Sequence, residues 1–324
     1  MGRVIGIDIG THSIKAIELE NKMGHFDVVK CAISRVKGND VKEVLKKLLA
    51  AARFSSRRVN VSLSGPSVIV RYIEMPSMRH DELRSAIKFE AEKYIPFSIS
   101  ESVIDFASLD KTSSGSQRVL LVAAKKSVVA GLLELFKGVG LEVNGIDVDS
   151  FAFLNAFQRG RVEEKDDAAC ALINTGERFS NMNIAEKGNV YFTRDVLWGG
   201  SDITKRIKDA MAVGLDEAEA MKKKPGEKRE EVVAAIAPVL DKLASQVRMS
   251  FDYFESQFGR GVEKVYVSGG SSYLFNMVDF LKDSLGVSVA MWNPLEGIRT
   301  SGAIEEMDKT PALFSVAMGL ALRK

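Results

Sequence analysis

One succession of strands and turns occurs twice in this sequence, and this internal repeat limits the possible folds more than any other feature. Asp8-Ile9-Gly10 and, about half a chain later, Asn174-Thr175-Gly176 each end an apolar strand and open a polar turn into a second strand. A third strand and then a helical region follow in both copies. The repeat predicts two related α/β halves that face each other across a cleft, a common place for a ligand.

Between the two copies lies a different pattern of strands and helices, which predicts an inserted α+β subdomain. We also expect one long helix over 230–258, kinked or divided at Pro238. The expected organisation is a first half at 1–67, an inserted subdomain at 68–148, a return helix and linker at 149–167, a second half at 168–310 with a helical region at about 200–260, and a terminal helix at 311–324 that packs on the first half.

Charge and hydropathy exclude several classes of protein. Lys plus Arg number 45 and Asp plus Glu 43, so the net charge of +2 argues against an overall nucleic-acid binder, while a local basic patch stays open. An apolar run long enough to cross a membrane is not found, and the short apolar run at the N-terminus is interrupted by Asp8, unlike a signal peptide. Cys31 and Cys170 show no metal-binding spacing and indicate thiols in a reducing compartment. We therefore expect a cytoplasmic protein without direct membrane insertion.

The first glycine turn carries the residue types that hold phosphate. Its backbone reverses over small residues and can aim N–H groups at phosphate oxygens, with hydroxyl groups adding hydrogen bonds. Asp8 could hold Mg²⁺ through water, since this ion keeps its waters and takes few carboxylates. A tight β-turn without a ligand is the plainer alternative. The candidate residues in this turn are Asp8, Gly10, Thr11, His12, Ser13 and Lys15.

Two further turns complete the pattern. Asn174 and Gly176 belong to the second turn, and Ser268-Gly269-Gly270-Ser271 forms a strand-to-helix junction in the second half. Glycines at such a junction allow a ligand to approach the backbone, and a helix N-terminus favours anions. Each turn alone is commonplace, whereas their order and spacing along the whole chain are far more specific.

This layout resembles the superfamily of actin, hexokinase and the DnaK-type chaperones, and the inserted subdomain resembles that of FtsA and of the PilM family. The likeness to the PilM family rests on the segments 74–78, 82–97 and 249–259. FtsA ends in an amphipathic membrane-targeting helix, and we expect none here, because the sequence stops directly after an apolar helix.

The resemblance implies a site for ATP or ADP with Mg²⁺. It assigns the first two turns to phosphate, the third turn to adenosine, and Glu219 with Lys222 to ribose and adenine. The i, i+3 spacing of that pair puts both side chains on one helix face, where a solvated ion pair is the plainer alternative. Asn174 departs from the family's Asp, and an amide supplies neither charge nor basicity, so the resemblance leaves hydrolysis open.

The resemblance also implies a partner. In the PilM family the cleft beside the inserted subdomain binds the N-terminal tail of the inner-membrane protein PilN, next to other pilus platform proteins. The resemblance further implies an assembly protein that lies at the periphery of the inner membrane. The residues predicted to contact the tail are Met75, Pro76, Tyr94, Ile95 and Phe97, with a core role for these apolar side chains as the alternative.

Two other functions stay open from the sequence. One is a filament-forming division protein similar to FtsA. The other is a small-molecule kinase of the same superfamily, although Asn174 counts against it because such enzymes need a catalytic carboxylate near the second turn.

Overall fold

A computed structural model describes residues 2–22, 25–36, 38, 40–111, 115–160, 168–302 and 304–323. Of the helix and linker predicted at 149–167, residues 161–167 lie outside this described part. Contacts divide the chain into two compact units: Leu63–Val143, and the remainder, Met1–Ser62 with Asn144–Lys324.

The larger unit contains two sheets and most of the helices. Its first sheet uses β1 (Gly2–Ile9), β2 (Ser13–Lys22), β3 (His25–Arg35), β4 (Arg58–Leu63), β8 (Glu142–Val148) and β14 (Arg299–Thr300). Its second sheet uses β9 (Cys170–Thr175), β10 (Ser180–Glu186), β11 (Asn189–Val196), β12 (Lys264–Ser268) and β13 (Ser288–Met291). Its helices are α1 (Val41–Ala52), α4 (Asp149–Gly160), α5 (Gly200–Met211), α6 (Leu215–Lys223), α7 (Arg229–Phe258), α8 (Met277–Leu285), α9 (Glu305–Lys309) and α10 (Ser315–Leu322).

The two sheets repeat one topology. The first runs β14-β3-β2-β1-β4-β8 and the second β11-β10-β9-β12-β13. In each, a three-stranded antiparallel meander is joined through its first strand to a parallel partner, β1 to β4 and β9 to β12. The halves predicted from the sequence repeat therefore share one strand order.

The smaller unit is an α+β subdomain. It consists of β5 (Val68–Pro76), α2 (His80–Ala91), β6 (Ser102–Lys111), β7 (Ser116–Lys125) and α3 (Lys126–Lys137). The sheet order is β5-β7-β6, and all the pairings are antiparallel. The apolar face of α2, with Leu83 and Ile87, shares a core with Val119 and Leu121 of β7.

Pro238 does not divide α7, which runs as a single helix of 30 residues. Proline removes one helical hydrogen bond, the one to the carbonyl of Ala234, but Ala234 is exposed, so water can bond that carbonyl. Neighbouring carbonyls also gain tertiary donors: Arg206 Nε donates to Ala235 O at 3.0 Å, and Trp198 Nε1 donates to Val239 O at 2.8 Å.

Two helices join the two sheets of the larger unit. All eight residues of α10 are buried, which is the pattern of a helix enclosed on every side. This helix packs on β1 and β2 and against α4, and α4 in turn contacts β9 and β10. No helix in the described part of the chain has the length and apolar character needed to cross a membrane.

Glycines permit this packing. A Cβ at Gly6 of β1 would lie 2.1 Å from Ala317 O, and a Cβ at Gly319 of α10 would lie 1.6 Å from Ala152 O. Because both obstructing atoms belong to backbone, neither contact could be relieved by a side-chain movement. The helices approach one another and the sheet through bare Cα atoms.

We expect Gly319→Ala to destabilise the protein by about 3 kcal/mol, because the added methyl group must push two packed backbones apart. Urea unfolding followed by circular dichroism measures the change. The matched control is Gly131→Ala in α3, where a Cβ meets nothing within 4 Å. That change should stabilise the helix by about 0.5–1 kcal/mol. Equal effects of the two substitutions would contradict the close packing.

Candidate functional site

The first turn is closed by its own strands. Asp8 and Lys15 are register partners across the β1–β2 hairpin, and Lys15 Nζ lies 2.9 Å from Asp8 Oδ2 with both side chains largely buried. Gly10 N donates to Ser13 O at 3.1 Å. A Cβ on Gly10 would lie 2.9 Å from Lys15 Nζ, so glycine leaves room for the ammonium group beside the carboxylate. Thr11 is exposed at the tip of the turn.

The second and third turns are hydrogen-bonded to one another. Ser271 Oγ donates to Gly176 O at 2.8 Å, and Thr175 Oγ1 donates to Ser268 O at 2.8 Å. Gly269 has φ +87°, and a Cβ there would lie 2.6 Å from Asn174 Oδ1. Its positive φ and this close approach both require glycine. The structure thus brings together two segments that are about 90 residues apart in sequence.

Ser268 has a different environment from the rest of the third turn. It is fully buried, its Oγ donates to Ala312 O at 2.8 Å, and it also bonds the Ser315 hydroxyl. The Ser268 side chain therefore fixes the third turn to the segment that leads into α10. Any contact of Ser268 with a ligand would have to use its backbone.

Asn174 lies in a chain of amides. Its Nδ2 donates to Asn181 Oδ1 at 3.3 Å, and Asn181 Nδ2 donates to Asp195 Oδ1 at 2.6 Å. The second turn therefore accommodates a neutral donor at position 174. A carboxylate there would face the Asn181 carbonyl oxygen, and rotating that amide would cost its bond to Asp195.

Helices α5 and α6 supply a buried polar cluster next to these turns. Lys222 Nζ lies 2.6 Å from Glu219 Oε2 and donates to Gly200 O at 3.2 Å. Thr204 Oγ1 donates to Glu219 Oε2 at 2.7 Å. Burial raises the pKa of Glu219, but hydrogen bonds from Lys222 and Thr204 outweigh it and lower that pKa to about 2. Glu219 therefore stays ionised at any physiological pH.

One polar contact connects the two halves directly. His12 Nδ1 of the first turn lies 3.8 Å from Glu177 Oε2 of the second turn. Burial is the largest influence on His12 and lowers its pKa, against an opposing attraction from Glu177. A Cβ on Gly200 would lie 3.4 Å from the same Glu177 oxygen and 2.7 Å from Ser271 Oγ. Glu177, in the second turn, thus lies beside His12 of the first turn and near Gly200 of α5.

The sequence analysis assigned no role to Glu177, Gly200 or Thr204. Glu177 immediately follows Gly176 in the repeated turn, and this position is the sequence feature from which a role in the site could have been predicted. Gly200 and Thr204 are four residues apart on the face of α5 that contacts α6. Their place in the site depends on this contact between the two helices, which the sequence alone does not show.

The residues fit a nucleotide with Mg²⁺ better than a metal ion alone. Within the described ranges, no group of three His, Cys, Asp or Glu residues could hold a metal ion. A cation here would therefore need ligands from phosphate and water besides Asp8, as Mg²⁺ does in nucleotide sites.

The residues predicted to contact a partner peptide divide by burial within the smaller unit. Met75 and Ile95 are 6% and 7% exposed and belong to its core. Pro76 and Tyr94 are exposed, and Phe97 is partly buried with Lys125 Nζ 5.5 Å from its ring centre. The accessible part of the set is therefore Pro76, Tyr94 and Phe97.

The duplicated meander, the helices between the sheets and the three joined turns define a protein of the actin-like ATPase fold. Over residues 6–324 the chain matches the family described as type IV pilus assembly protein PilM. The chain belongs to this family.

Comparisons with individual proteins agree with that assignment. A solved PilM-PilN type IV pilus biogenesis complex matches with a TM-score of 0.89 at 30% identity, covering 99% of this chain and 98% of that chain. The ethanolamine utilization protein EutJ of Carboxydothermus hydrogenoformans matches in fold, with a TM-score of 0.60 at 15% identity over 99% of this chain and 90% of its own.

The chain also has a more distant similarity to a cell division protein. FtsA of Bacillus subtilis (strain 168) is 24% identical over 229 residues, which are 69% of this chain and 49% of FtsA. The chain spans about half the length of the curated relatives it matches. The PilM family match covers more of the chain, so the pilus assembly family is favoured over a division protein.

We expect the stability of the protein to fall as the pH drops below about 6.5, the ordinary pKa of histidine. Because the pKa of His12 is lowered in the folded state, the unfolded chain takes up a proton first, and protonation favours unfolding. His12→Gln should make the unfolding free energy less dependent on pH between 5 and 7, measured by urea titration. His25→Gln, at an exposed position of the same unit, is the control and should retain the wild-type dependence.

Proposed function

We propose that this chain binds ATP or ADP with Mg²⁺ at the three joined turns and also binds the N-terminal tail of a PilN-like inner-membrane protein. It would thereby connect cytoplasmic components to the pilus platform and reach the membrane through its partner. The chain would act as an assembly protein, with other platform proteins as further contacts.

The observation that carries the nucleotide proposal is the convergence of the second and third turns with the Glu219–Lys222 pair, together with the His12–Glu177 contact to the first turn. In the proposed complex, Gly10, Thr11, His12, Ser13 and Lys15 surround the phosphates on one side. Asn174, Gly176 and Glu177 surround them on the other. Gly269, Gly270 and Ser271, with the backbone of Ser268, lie at the adenosine.

The lysine side chains support this assignment of roles. Lys15 and Lys222 offer ammonium N–H donors, and each is already held by a carboxylate, so little side-chain entropy remains to be lost on binding. Asp8 would hold Mg²⁺ through water, and the ion would neutralise phosphate charge.

We expect ATP or ADP with Mg²⁺ to raise the melting temperature, because a ligand that binds only the folded state stabilises it. Asp8→Ala should weaken binding about tenfold, which removes about 1.4 kcal/mol of that stabilisation. The measurement is a thermal shift with and without nucleotide.

The control for this experiment is Glu20→Ala. Glu20 pairs with Arg3 and Lys22 at the far end of the same hairpin, so its loss also removes a paired carboxylate. Both substitutions can lower the melting temperature without nucleotide, but only Asp8→Ala should reduce the shift that nucleotide causes. A full response in the Asp8 variant would count against the site.

The partner proposal rests on family membership and on the exposed aromatic residues of the smaller unit. Tyr94 and Phe97 lie close together in sequence just after α2, and Tyr94 is 37% exposed. A short tail loses conformational freedom on binding, so buried aromatic contacts must offset that cost. The core residues Met75 and Ile95 would support this surface from below.

Tyr94→Ala and Phe97→Ala should each weaken binding of a labelled PilN-like N-terminal peptide by about 1–3 kcal/mol. Titration monitored by fluorescence anisotropy measures the affinity, with melting curves recorded alongside. Leu133→Ala, a 43% exposed apolar position on α3 of the same unit, should leave the affinity unchanged. Wild-type affinity in the Tyr94 and Phe97 variants, with lower melting temperatures, would mean that these residues serve only the core.

A further inference from the structure

Five cationic residues surround the loop that joins α1 to β4, and we call them the basic cluster. Gly2, next to Arg3, lies close to the Arg58 guanidinium, and Lys30 donates to Arg53 O. The cluster lies at the start of β1, whereas the candidate nucleotide site lies at its end, about 20 Å away for a strand of this length. Its members are Arg3, Lys30, Arg53, Arg57 and Arg58.

A buried carboxylate holds this loop in place. Glu18 is fully buried in β2, and its Oε1 accepts hydrogen bonds from Ser55 N and Ser55 Oγ at 2.8 Å and from Ser56 N at 2.7 Å. Ser56 Oγ donates to Arg3 O at 2.9 Å. The arginine side chains therefore extend from a backbone that is fixed to the sheet.

Three of the five cluster members carry a charge that no carboxylate of the described residues pairs with. Arg53, Arg57 and Arg58 are exposed, and across the described ranges none of their guanidinium groups forms an ion pair. Of the carboxylates nearby, Glu18 is buried beneath the loop, and Glu20 is shared between Arg3 at 3.2 Å and Lys22 at 2.8 Å. Three adjacent guanidinium groups thus face solvent and attract anions.

We propose that the basic cluster binds the anionic phospholipid headgroups of a membrane surface. A guanidinium group bonds phosphate oxygens with two parallel N–H donors, and several arginines on one fixed loop suit a surface of many phosphates. This inference rests on the proposed function in one respect: a partner that tethers the chain at the membrane makes a weak headgroup contact effective.

Nucleic acid is the less favoured anion. Proteins that bind single strands stack bases on exposed aromatic rings between their basic residues. The aromatic residue of this loop, Phe54, is half-buried. The cluster offers charge without such a stacking surface, which matches headgroups better than bases.

The test is vesicle co-sedimentation of the full chain alone, at low salt, with phosphatidylcholine vesicles and with vesicles containing one-third phosphatidylglycerol. We expect binding only to the phosphatidylglycerol vesicles, and its loss at high salt. Replacing Arg53, Arg57 and Arg58 together by Gln should weaken that binding about 100-fold, at about fivefold for each arginine. Melting curves verify that the variant folds.

The matched control replaces Lys242, Arg248 and Lys282 by Gln, three exposed cations on α7 and α8. This variant has the same net charge as the arginine variant and should bind as the wild type does. The proposal would be overturned if the wild type bound both kinds of vesicle equally, or if the arginine variant and the control variant lost vesicle binding equally. Tighter binding of the wild type to a short DNA than to the vesicles would also overturn it. Because neither peptide nor nucleotide is present, the result is independent of the experiments on the proposed function.

Discussion

The larger unit depends on the close contact of α10 with β1 and α4. At Gly6 and Gly319 the backbones meet without side chains between them, and obstructing carbonyl oxygens would lie within about 2 Å of any added Cβ. Through this contact one short apolar helix packs on the first sheet and, by way of α4, on the second. The relative positions of the two halves, and of the turns they carry, follow from it.

The same helix fixes part of the site. Ser268, at the end of β12, bonds Ala312 and Ser315 at the start of α10, and Gly269 N donates to Ala312 O at 3.0 Å. The third turn is therefore anchored to the segment that joins the two sheets. A change in the position of α10 would therefore also move the backbone of the turn that is proposed to contact adenosine.

Charges at the site are arranged as pairs. Asp8 is held by Lys15, and Glu219 by Lys222 and Thr204, whereas Glu177 faces His12, whose lowered pKa leaves the imidazole mainly neutral at pH 7. Buried charges are costly unless they are paired and hydrogen-bonded, so these contacts let ionised groups remain where a phosphate and its cation would bind. Asn174 is the neutral position among them, and its amide is used by Asn181.

Local periodicity and the residue types that turns require predict the duplicated strand order, the three glycine turns and the inserted subdomain. The segments 74–78, 82–97 and 249–259 carry the resemblance to the PilM family. The sequence by itself did not determine contacts between distant segments. Glu177 lies beside His12 of the first turn, Ser268 bonds the segment that leads into α10, and Met75 and Ile95 lie in a core. Each of these facts depends on which elements pack together. Pro238 stays within one helix for the same reason, since donors from Arg206 and Trp198 reach its neighbours only in the folded chain. Local patterns fix the conformation of a segment, whereas burial and charge pairing arise only when segments remote in sequence exclude water from one another.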